Sequence, residues 1–194
     1  MLNAEFYRTD FINQVIVDLD RSPGSAYFYN LKGKSYSNSF QIDLTFEPIK
    51  RLEIMTAYRL NDVQMTINDE LRQRPLVSRH KAFLNVAYTT ELKEWQLDVT
   101  LDVNGGGRLP NTNQNPEEYR LAENYPAFAM IHGQITKTFD QWDFYLGVEN
   151  LLDYRQPNPI LSYNNPNSKY FDSSMIWGPI MGRKIHLGVR LNIY

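Results

Sequence analysis

The sequence predicts an all-β fold, an antiparallel up-and-down transmembrane β-barrel segment of about eight strands. Apolar and polar residues alternate with a period of two along eight segments, which places successive side chains on opposite faces of an extended strand. Short turns between these segments also alternate strictly with long polar loops. Aromatic residues gather beside the short turns, which is the third observation behind the prediction.

The predicted strands follow one another along the whole chain. The first covers residues 2–20 and changes phase near residues 8–13, which we interpret as a β-bulge. The most regular one has Trp95, Leu97, Val99 and Leu101 on one face and polar residues on the other. The remaining predicted strands are 36–46, 52–60, 81–88, 129–136, 142–149 and 185–193.

The connections fix how these strands are arranged. The alternation of short turns with long loops predicts an antiparallel meander with every short turn at one end and every long loop at the other. Outer-membrane barrels have this asymmetry, with short periplasmic turns and long extracellular loops, so the last strand leaves the C-terminus in the periplasm. The short turns are 47–50, 90–94 and 138–141, and the long loops are 21–34, 67–78, 105–125 and 154–174.

A soluble lipocalin-like binding barrel is an alternative, because it is also a meander but has its apolar face inside. The aromatic residues favour the membrane, since they form a row on or near the apolar face beside the short turns. That row consists of Phe46, Tyr88, Trp95, Phe139 and Trp142. A second alternative is a self-contained eight-stranded outer-membrane barrel with a structural or adhesive role.

Composition excludes several classes of protein. The chain has no cysteine, so it has neither disulfides nor a thiolate metal site. Its net charge of −2 gives no basic excess for nucleic acid. No apolar run reaches the length of about 18 residues that a transmembrane helix needs. The beginning of the chain has no signal-peptide pattern, so we expect a mature protein or a fragment.

No arrangement of residues predicts catalysis, a cofactor or a metal site. His80, His132 and His186 are scattered, and no Ser/His/Asp set suggests a lipase or protease. Asp98 and Asp102 lie about 13 Å apart along one strand face, too far to share a proton. The run from Gly105 to Arg108 lacks the Lys-Ser/Thr ending of a phosphate-binding loop.

The composition of the outer loops favours ligand binding over catalysis. These loops are rich in Tyr, Asn and Arg, a mixture that suits adaptable recognition. The candidate ligand-binding residues are Arg108, Asn111, Asn113, Tyr119, Arg120, Tyr163, Asn165 and Tyr170.

Two motifs near the end of the chain resemble those of TonB-dependent outer-membrane receptors. The segment GVENLLDYRQPNPI resembles their penultimate-strand motif at Asn150, Leu151 and Asp153. The segment YFDSSMIWGPIMGRKIHLGVRLNIY resembles their last strand, and FYRTDFINQVIVDLD resembles an earlier one. The matching positions of the last-strand motif are Trp177, Pro179, Gly182, Arg183 and Gly188.

These motif residues have a structural interpretation. Asn150 and Asp153 lie where the chain leaves the strand, so their side chains can satisfy free backbone groups. Gly182 and Gly188 on the final strand permit sharp coiling or close packing.

The resemblance implies the C-terminal portion of a barrel of roughly 22 strands, over residues 1–194 and without a plug domain. It further implies TonB-dependent uptake of a scarce nutrient such as siderophore-iron or cobalamin across the Gram-negative outer membrane. The implied partners are outer-membrane lipid, the rest of the barrel and its plug, the TonB complex through a missing N-terminal part, and the assembly machinery through the last strand. Tyr194 ends the chain out of phase with Val189 and Leu191, so the terminal assembly signal is expected to be weaker or shifted by one residue.

Overall fold

The computed structural model describes residues 1–193, which form an almost entirely β structure. One short 3₁₀ helix, Glu117–Tyr119, interrupts the strands, and none of the described helices is long and apolar enough to cross a membrane. The strands are β1 (Leu2–Asp10), β2 (Val15–Asp18), β3 (Tyr27–Asn30), β4 (Ser35–Ile49), β5 (Leu52–Ile67), β6 (Glu70–Gln73), β7 (His80–Thr89), β8 (Trp95–Asn104), β9 (Gly107–Arg108), β10 (Asn124–Tyr125), β11 (Phe128–Phe139), β12 (Trp142–Glu149) and β13 (Lys184–Leu191).

The main sheet is an antiparallel meander, which confirms the predicted fold class. Its order is β1-β4-β5-β7-β8-β11-β12-β13, and β6 pairs with the outer end of β5. These eight strands are the eight that the sequence predicts. They do not close on themselves within residues 1–193, since β1 and β13 are the two ends of the order. The sheet is therefore an open segment of barrel wall rather than a complete small barrel.

The register aligns the apolar residues of all eight strands on one face. For example, Val86 of β7 pairs with Val99 of β8, Val99 pairs with Gly133 of β11, and Gly133 pairs with Val148 of β12. This face remains open, with Leu146 50% exposed and Leu187 80% exposed. Such a surface requires an apolar surrounding.

The predicted aromatic row lies at the turn end of this face. Trp95 is paired with Lys137, and Phe139 is paired with Trp142 next to the turn at residues 140–141. Phe46, Tyr88 and Trp95 are between 38% and 41% exposed. A row of half-exposed aromatic side chains at one end of an apolar face is typical of a membrane interface.

The other face of the sheet is polar. A row of directly paired residues crosses it from Gln41 through Arg59 and Lys81 to Asn104. The buried apolar side chains lie instead at the loop end of the molecule, in and beside the outer loops. One cluster there contains Ile16, Leu31, Met65 and Ile67, packed against Tyr29.

The predicted first strand is wrong beyond Asp10. The change of phase near residues 8–13 is not a bulge, because β1 ends at Asp10 and the chain leaves the main sheet. Residues 15–18 form β2, which pairs with β3 as a separate hairpin. The hairpin is stable there because its inner face packs on the outer end of β5.

Several predicted boundaries also shift. The bulge lies instead in β4, between Phe46 and Ile49, and the turn after it is at residues 50–51 rather than 47–50. Loops 21–34, 67–78 and 105–125 contain the short strands β3, β6, β9 and β10. The last strand begins at Lys184, so Gly182 precedes it, and it ends at Leu191. The expectation for Tyr194 lies outside the described residues.

Candidate functional site

The outer loops enclose a polar cleft of about 510 Å³ at the loop end of the sheet. It is lined by β6, β9 and the loop after β9. Three of the residues predicted to bind ligand, Arg108, Asn111 and Asn113, line this one cleft. Asn113 is exposed, and its backbone N–H donates a hydrogen bond of 2.9 Å to the side-chain oxygen of Asn111.

Arg108 is engaged with the protein itself rather than open to solvent. Its Nη1 donates to both carboxylate oxygens of Asp20 at 2.8 Å, and its Nε donates to the carbonyl of Gln73 at 2.7 Å. The side chains of Arg108 and Asp20 are 11% and 3% exposed. Within residues 1–193 its Nη2 is buried without a hydrogen-bond partner. A buried ion pair of this kind ties three separate segments together.

A second buried carboxylate lies beside this pair. Asp18 is 1% exposed, accepts a hydrogen bond of 2.7 Å from the Tyr29 hydroxyl and accepts another of 2.8 Å from the backbone N–H of Asp20. Burial, followed by the hydrogen bond to Asp18, raises the pKa of Tyr29 to about 12. Tyr29 is therefore a neutral donor to a buried carboxylate at any ordinary pH.

The other predicted loop residues are arranged in two groups. Tyr119 and Tyr170 come from different loops and stack with ring centroids 5.0 Å apart. Arg120 donates through Nε to the carbonyl of Asn115 at 2.8 Å and is otherwise exposed. Tyr163, which is 70% exposed, and Asn165 lie in a turn of the long loop between β12 and β13.

The three successive glycines before Arg108 are explained by close packing of the backbone. A Cβ on Gly105 would lie 2.8 Å from the carbonyl oxygen of His80, and one on Gly106 would lie 2.5 Å from that of Tyr125. A Cβ on Gly107 would lie 2.7 Å from the carbonyl oxygen of Val77. Real Cβ contacts of this length essentially do not occur, so the run needs no phosphate ligand to account for it.

The first closing motif caps the end of β12. Asn150 is buried, accepts a hydrogen bond of 3.1 Å from the Tyr154 N–H and donates to the carbonyls of Tyr154 and Met181. Leu151 accepts a hydrogen bond of 3.0 Å from Arg183 Nε through its carbonyl. The backbone N–H of Arg183 and the guanidinium of Arg155 hold the pKa of the Asp153 carboxyl below its usual range.

The second closing motif is organised by Gln156, which the sequence reasoning did not single out. Its Oε1 accepts hydrogen bonds from the N–H groups of Trp177 and Gly178, and its Nε2 donates to the carbonyl of Met175. Its backbone N–H also donates to the carbonyl of Pro179 at 2.7 Å. An isolated Gln in a polar loop carries no local signal of this role.

Aromatic rings complete the packing around this segment. Trp177 stacks on Tyr125 at 5.1 Å and also contacts Phe128, which stacks on Tyr154 at 5.2 Å. The segment between β12 and β13 is therefore packed against the residues that begin β11. Asp18, Asp20 and Tyr125 were likewise not predicted, because their partners lie far away in sequence.

Two glycines, one on β12 and one on β13, lie under aromatic rings of the paired strand, and a third in the segment between these strands lies against charged side chains. Gly188 is paired with Tyr145, whose hydroxyl end occupies the space of a Cβ at Gly188. Gly147 is paired in the same way with His186, while Gly182 lies against Asp153 and Arg155. On the polar face, His132 Nε2 lies 3.5 Å from an oxygen of Asp102. The described part of the chain contains no cluster of three or more His, Asp or Glu suited to a metal ion.

Comparison with known proteins assigns the family. A family model described as "TonB dependent receptor-like, beta-barrel" matches residues 1–151. The chain belongs to this family. Members of this TonB-dependent receptor family are outer-membrane proteins. No curated protein sequence matches the chain.

Solved structures of TonB-dependent receptors share the fold. The ferric-catecholate import receptor Fiu from E. coli has 15% identity and a TM-score of 0.67, covering 98% of this chain and 25% of its own. The copper transporter OprC has 12% identity and a TM-score of 0.69, with coverages of 99% and 28%. The ferric enterobactin receptor PfeA from Pseudomonas aeruginosa has 12% identity and a TM-score of 0.66, with coverages of 98% and 29%. The chain therefore spans between 25% and 29% of the length of each of these proteins.

Proposed function

We propose that this chain is the C-terminal wall segment of a TonB-dependent receptor that takes up a scarce nutrient across the outer membrane. The observation that carries the proposal is the register of the main sheet, which aligns one apolar face across eight strands. A wall with this face toward lipid and its polar face toward the lumen has the arrangement of an outer-membrane barrel. Residues 1–194 would contribute wall but no plug.

The open edges of the sheet support a place within a larger barrel. The outer edges of β1 and β13 pair with no other strand of residues 1–193. Long unpaired edges are costly and prone to wrong pairing unless neighbouring strands cover them. We assign those neighbours to the rest of the receptor barrel, with the plug in the lumen.

The remaining partners follow from the same proposal. The plug and the TonB complex would act through parts of the receptor outside this chain, and the last strand would engage the assembly machinery, with its end in the periplasm. The outer loops would form part of the vestibule that meets the ligand. The similar structures are those of a ferric-catecholate import receptor, a copper transporter and a ferric enterobactin receptor, so a metal or a metal chelate such as a siderophore is the first ligand class to test.

The predicted ligand residues divide within this vestibule. Asn113, Tyr163 and Asn165 are exposed and available to a ligand, as is Arg120. Tyr119 and Tyr170 offer a stacked aromatic pair, a surface that suits planar or aromatic groups. Arg108 and Asn111 contact Asp20 and therefore shape the cleft.

Site-specific labelling tests the proposed wall. Residues 1–194 contain no cysteine, so in a receptor whose other cysteines, where present, are replaced, single cysteines can be placed at Val99 on the apolar face and at its neighbour Asp98 on the polar face. In outer membranes that contain the complete receptor, we expect Val99→Cys to react with a lipophilic maleimide and Asp98→Cys with a sulfonated, membrane-impermeant one. The reverse pattern, or equal reaction of both with the impermeant reagent, would contradict the proposal.

Uptake is tested separately in cells. Accumulation of radioiron supplied as ferric citrate or as a ferric tris-catecholate is compared with accumulation of cobalamin, in cells with and without the receptor gene. We expect one of these ligands to accumulate only when both the receptor and TonB are present. Accumulation that is independent of TonB would contradict the transport mechanism while leaving the wall assignment intact.

A further inference from the structure

The hairpin formed by β2 and β3 lies across the polar face of the main sheet at its outer end. The hairpin packs on Met65 and Ile67 of β5, which lie on the same side of that strand as Arg59. Arg59 belongs to the polar face. If this face lines the lumen, as the proposed function requires, the hairpin is folded inward over the mouth of the barrel.

The two faces of the hairpin have different surroundings. The inner face carries Ile16, Asp18 and Tyr29 and is buried or half-buried. The outer face carries the directly paired Val17 and Phe28, which are 43% and 70% exposed. The hairpin therefore presents an apolar surface toward the space that the outer loops surround.

The tip of the hairpin contacts the loop after β9 and faces the loop before β13 across a cavity. Gln114 Nε2 donates to the carbonyl of Arg21 at 3.1 Å, and the backbone N–H of Asn111 donates to Asp20 at 2.9 Å. A cavity of about 340 Å³ separates residues 24–26 from residues 171–175. The tip thus bridges part of the distance between the loop after β9 and the loop before β13.

The buried ion pair between Arg108 and Asp20 holds the hairpin in this position. Arg108 joins Asp20 of the hairpin to the carbonyl of Gln73 in β6, and its own carbonyl accepts a hydrogen bond of 2.9 Å from Leu76. The pair links residues 88 positions apart and is largely dry. Removing either partner leaves the other charge buried and unpaired, which is far more costly than losing an exposed ion pair.

We infer that the β2–β3 hairpin is a fixed constriction at the outer mouth and that Arg108 is the positioning residue that locks it there. Arg108 then controls which ligands enter by their size, through the position of the hairpin. This differs from the direct ligand contact that its place in a polar loop suggests. The constriction rests on the proposed function, whereas the lock itself rests only on the contacts of the outer loops.

A buried cysteine reports whether the hairpin lifts. Ile16 is 2% exposed between the hairpin and β5, so a thiol at Ile16→Cys reacts only when the hairpin opens. In the complete receptor, we expect Arg108→Met to raise the rate of thiol modification at least about tenfold. Arg108→Lys, which keeps the charge without the paired donors, should give an intermediate rate.

The matched control is Arg74→Met, which removes an exposed arginine one residue beyond β6. Its rate should stay within about twofold of the parent. Asp20→Asn is the second variant, and it should raise the rate as Arg108→Met does. The double variant should be no faster than the faster single variant, because both changes break one interaction. If both single variants label at the parent rate, the apolar cluster alone holds the hairpin and the inferred lock is wrong.

Selection of ligands by size needs a measurement that a mere loosening of the hairpin would not change. A cysteine at Asn104, on the polar face in the same paired row as Arg59 of β5, is modified with a small methanethiosulfonate and with a large polymer-linked maleimide. We expect Arg108→Met to accelerate the large reagent about tenfold and the small one by less than about twofold. Equal acceleration of both reagents would overturn the constriction. The Val99 and Asp98 labels test the wall independently, so failure of the wall and failure of the lock give different patterns.

Discussion

The amide of Gln156 holds together the segment that precedes the last strand. Its side chain satisfies two N–H groups and one carbonyl between Met175 and Gly178, in a position that is 5% exposed. Each of these backbone groups would be left without a partner if the amide were removed. A buried backbone group without a hydrogen bond is expensive, so this residue is important despite its ordinary appearance in the sequence.

We therefore predict that Gln156→Ala lowers the free energy of unfolding by about 3 kcal/mol. The matched control is Gln114→Ala, an exposed glutamine with one side-chain hydrogen bond, which should cost no more than about 0.5 kcal/mol. Urea unfolding of the complete receptor in detergent, followed by tryptophan fluorescence, measures both. Equal effects of the two variants would show that the amide contacts contribute little.

Glycine positions offer a second comparison at this scale. We predict that Gly106→Ala costs about 1 to 3 kcal/mol of stability, because its Cβ would collide with the carbonyl of Tyr125. Gly133→Ala should be tolerated, since the nearest atom to its Cβ is 3.6 Å away. Heat-dependent gel mobility of the two variants measures the difference. Similar midpoints would argue that the backbone at the outer loop adjusts freely.

At the scale of elements, the β2–β3 hairpin depends on tertiary packing rather than on its own strand pairing. Two strands of four residues each are too short to be stable alone in water. Contacts with β5 and with Arg108 supply the rest. The hairpin should therefore respond to changes in its buried polar groups before the main sheet does.

Tyr29 makes this response dependent on pH. Burial raises its pKa from 10.0 to about 12, so between these values the unfolded hairpin has lost a proton that the folded hairpin keeps. Stability contributed by the neutral hydroxyl is complete below pH 10 and is lost progressively as the pH rises toward 12. We predict that Tyr29→Phe removes this decrease. Thiol modification at Ile16→Cys, normalised to an unfolded peptide, measures both variants, and parallel pH profiles would contradict the prediction.

The strands of the main sheet lead to a prediction about their two faces. Val99→Arg places a charge in the middle of the apolar face and should cost about 2 to 4 kcal/mol or prevent assembly in the membrane. Asp98→Arg changes the polar face of the same strand and should cost less than about 1 kcal/mol. The fraction of receptor with the folded, heat-modifiable mobility measures assembly. Comparable losses for both variants would be inconsistent with one lipid-facing side.

At the scale of the whole molecule, the chain carries an extended apolar face, and the described residues 1–193 leave two edges of the main sheet unpaired. The apolar side chains of β12 and β13 are exposed because no described part of the chain covers them. Within residues 1–193 the buried apolar side chains lie at the loop end and form no central core of the kind that a water-soluble domain of this size buries.

We predict that residues 1–194 expressed alone sediment as aggregates in buffer and become dispersed in a mild detergent. The apolar face and the free edges of β1 and β13 would otherwise associate between molecules. Analytical ultracentrifugation with and without detergent measures this. A stable monomer in buffer would require an apolar face that is covered, as in a soluble binding barrel.

The strand pattern was predictable because it is local. Alternation along Trp95 to Val103 identifies both faces of β8 without knowledge of any partner, and the contrast between short turns and long loops gives the meander. The closing motifs around Asn150 and Trp177 likewise indicated the receptor family, which the family model confirms.

The contacts of the outer loops were decided only by the tertiary structure. From the sequence, Arg108 is predicted to be a loop arginine that is free to bind ligand. Folding brings Asp20, 88 residues away along the chain, into contact with it. The segment at residues 15–18 looked like a continuation of β1 because both alternate, and only packing on Met65 and Ile67 separates it from the main sheet. By itself the sequence determined the eight strands of the main sheet apart from their exact ends, their two faces and the family, since periodicity depends on neighbours along the chain. Burial and pairing in the loops depend on neighbours in space, which the sequence pattern does not specify.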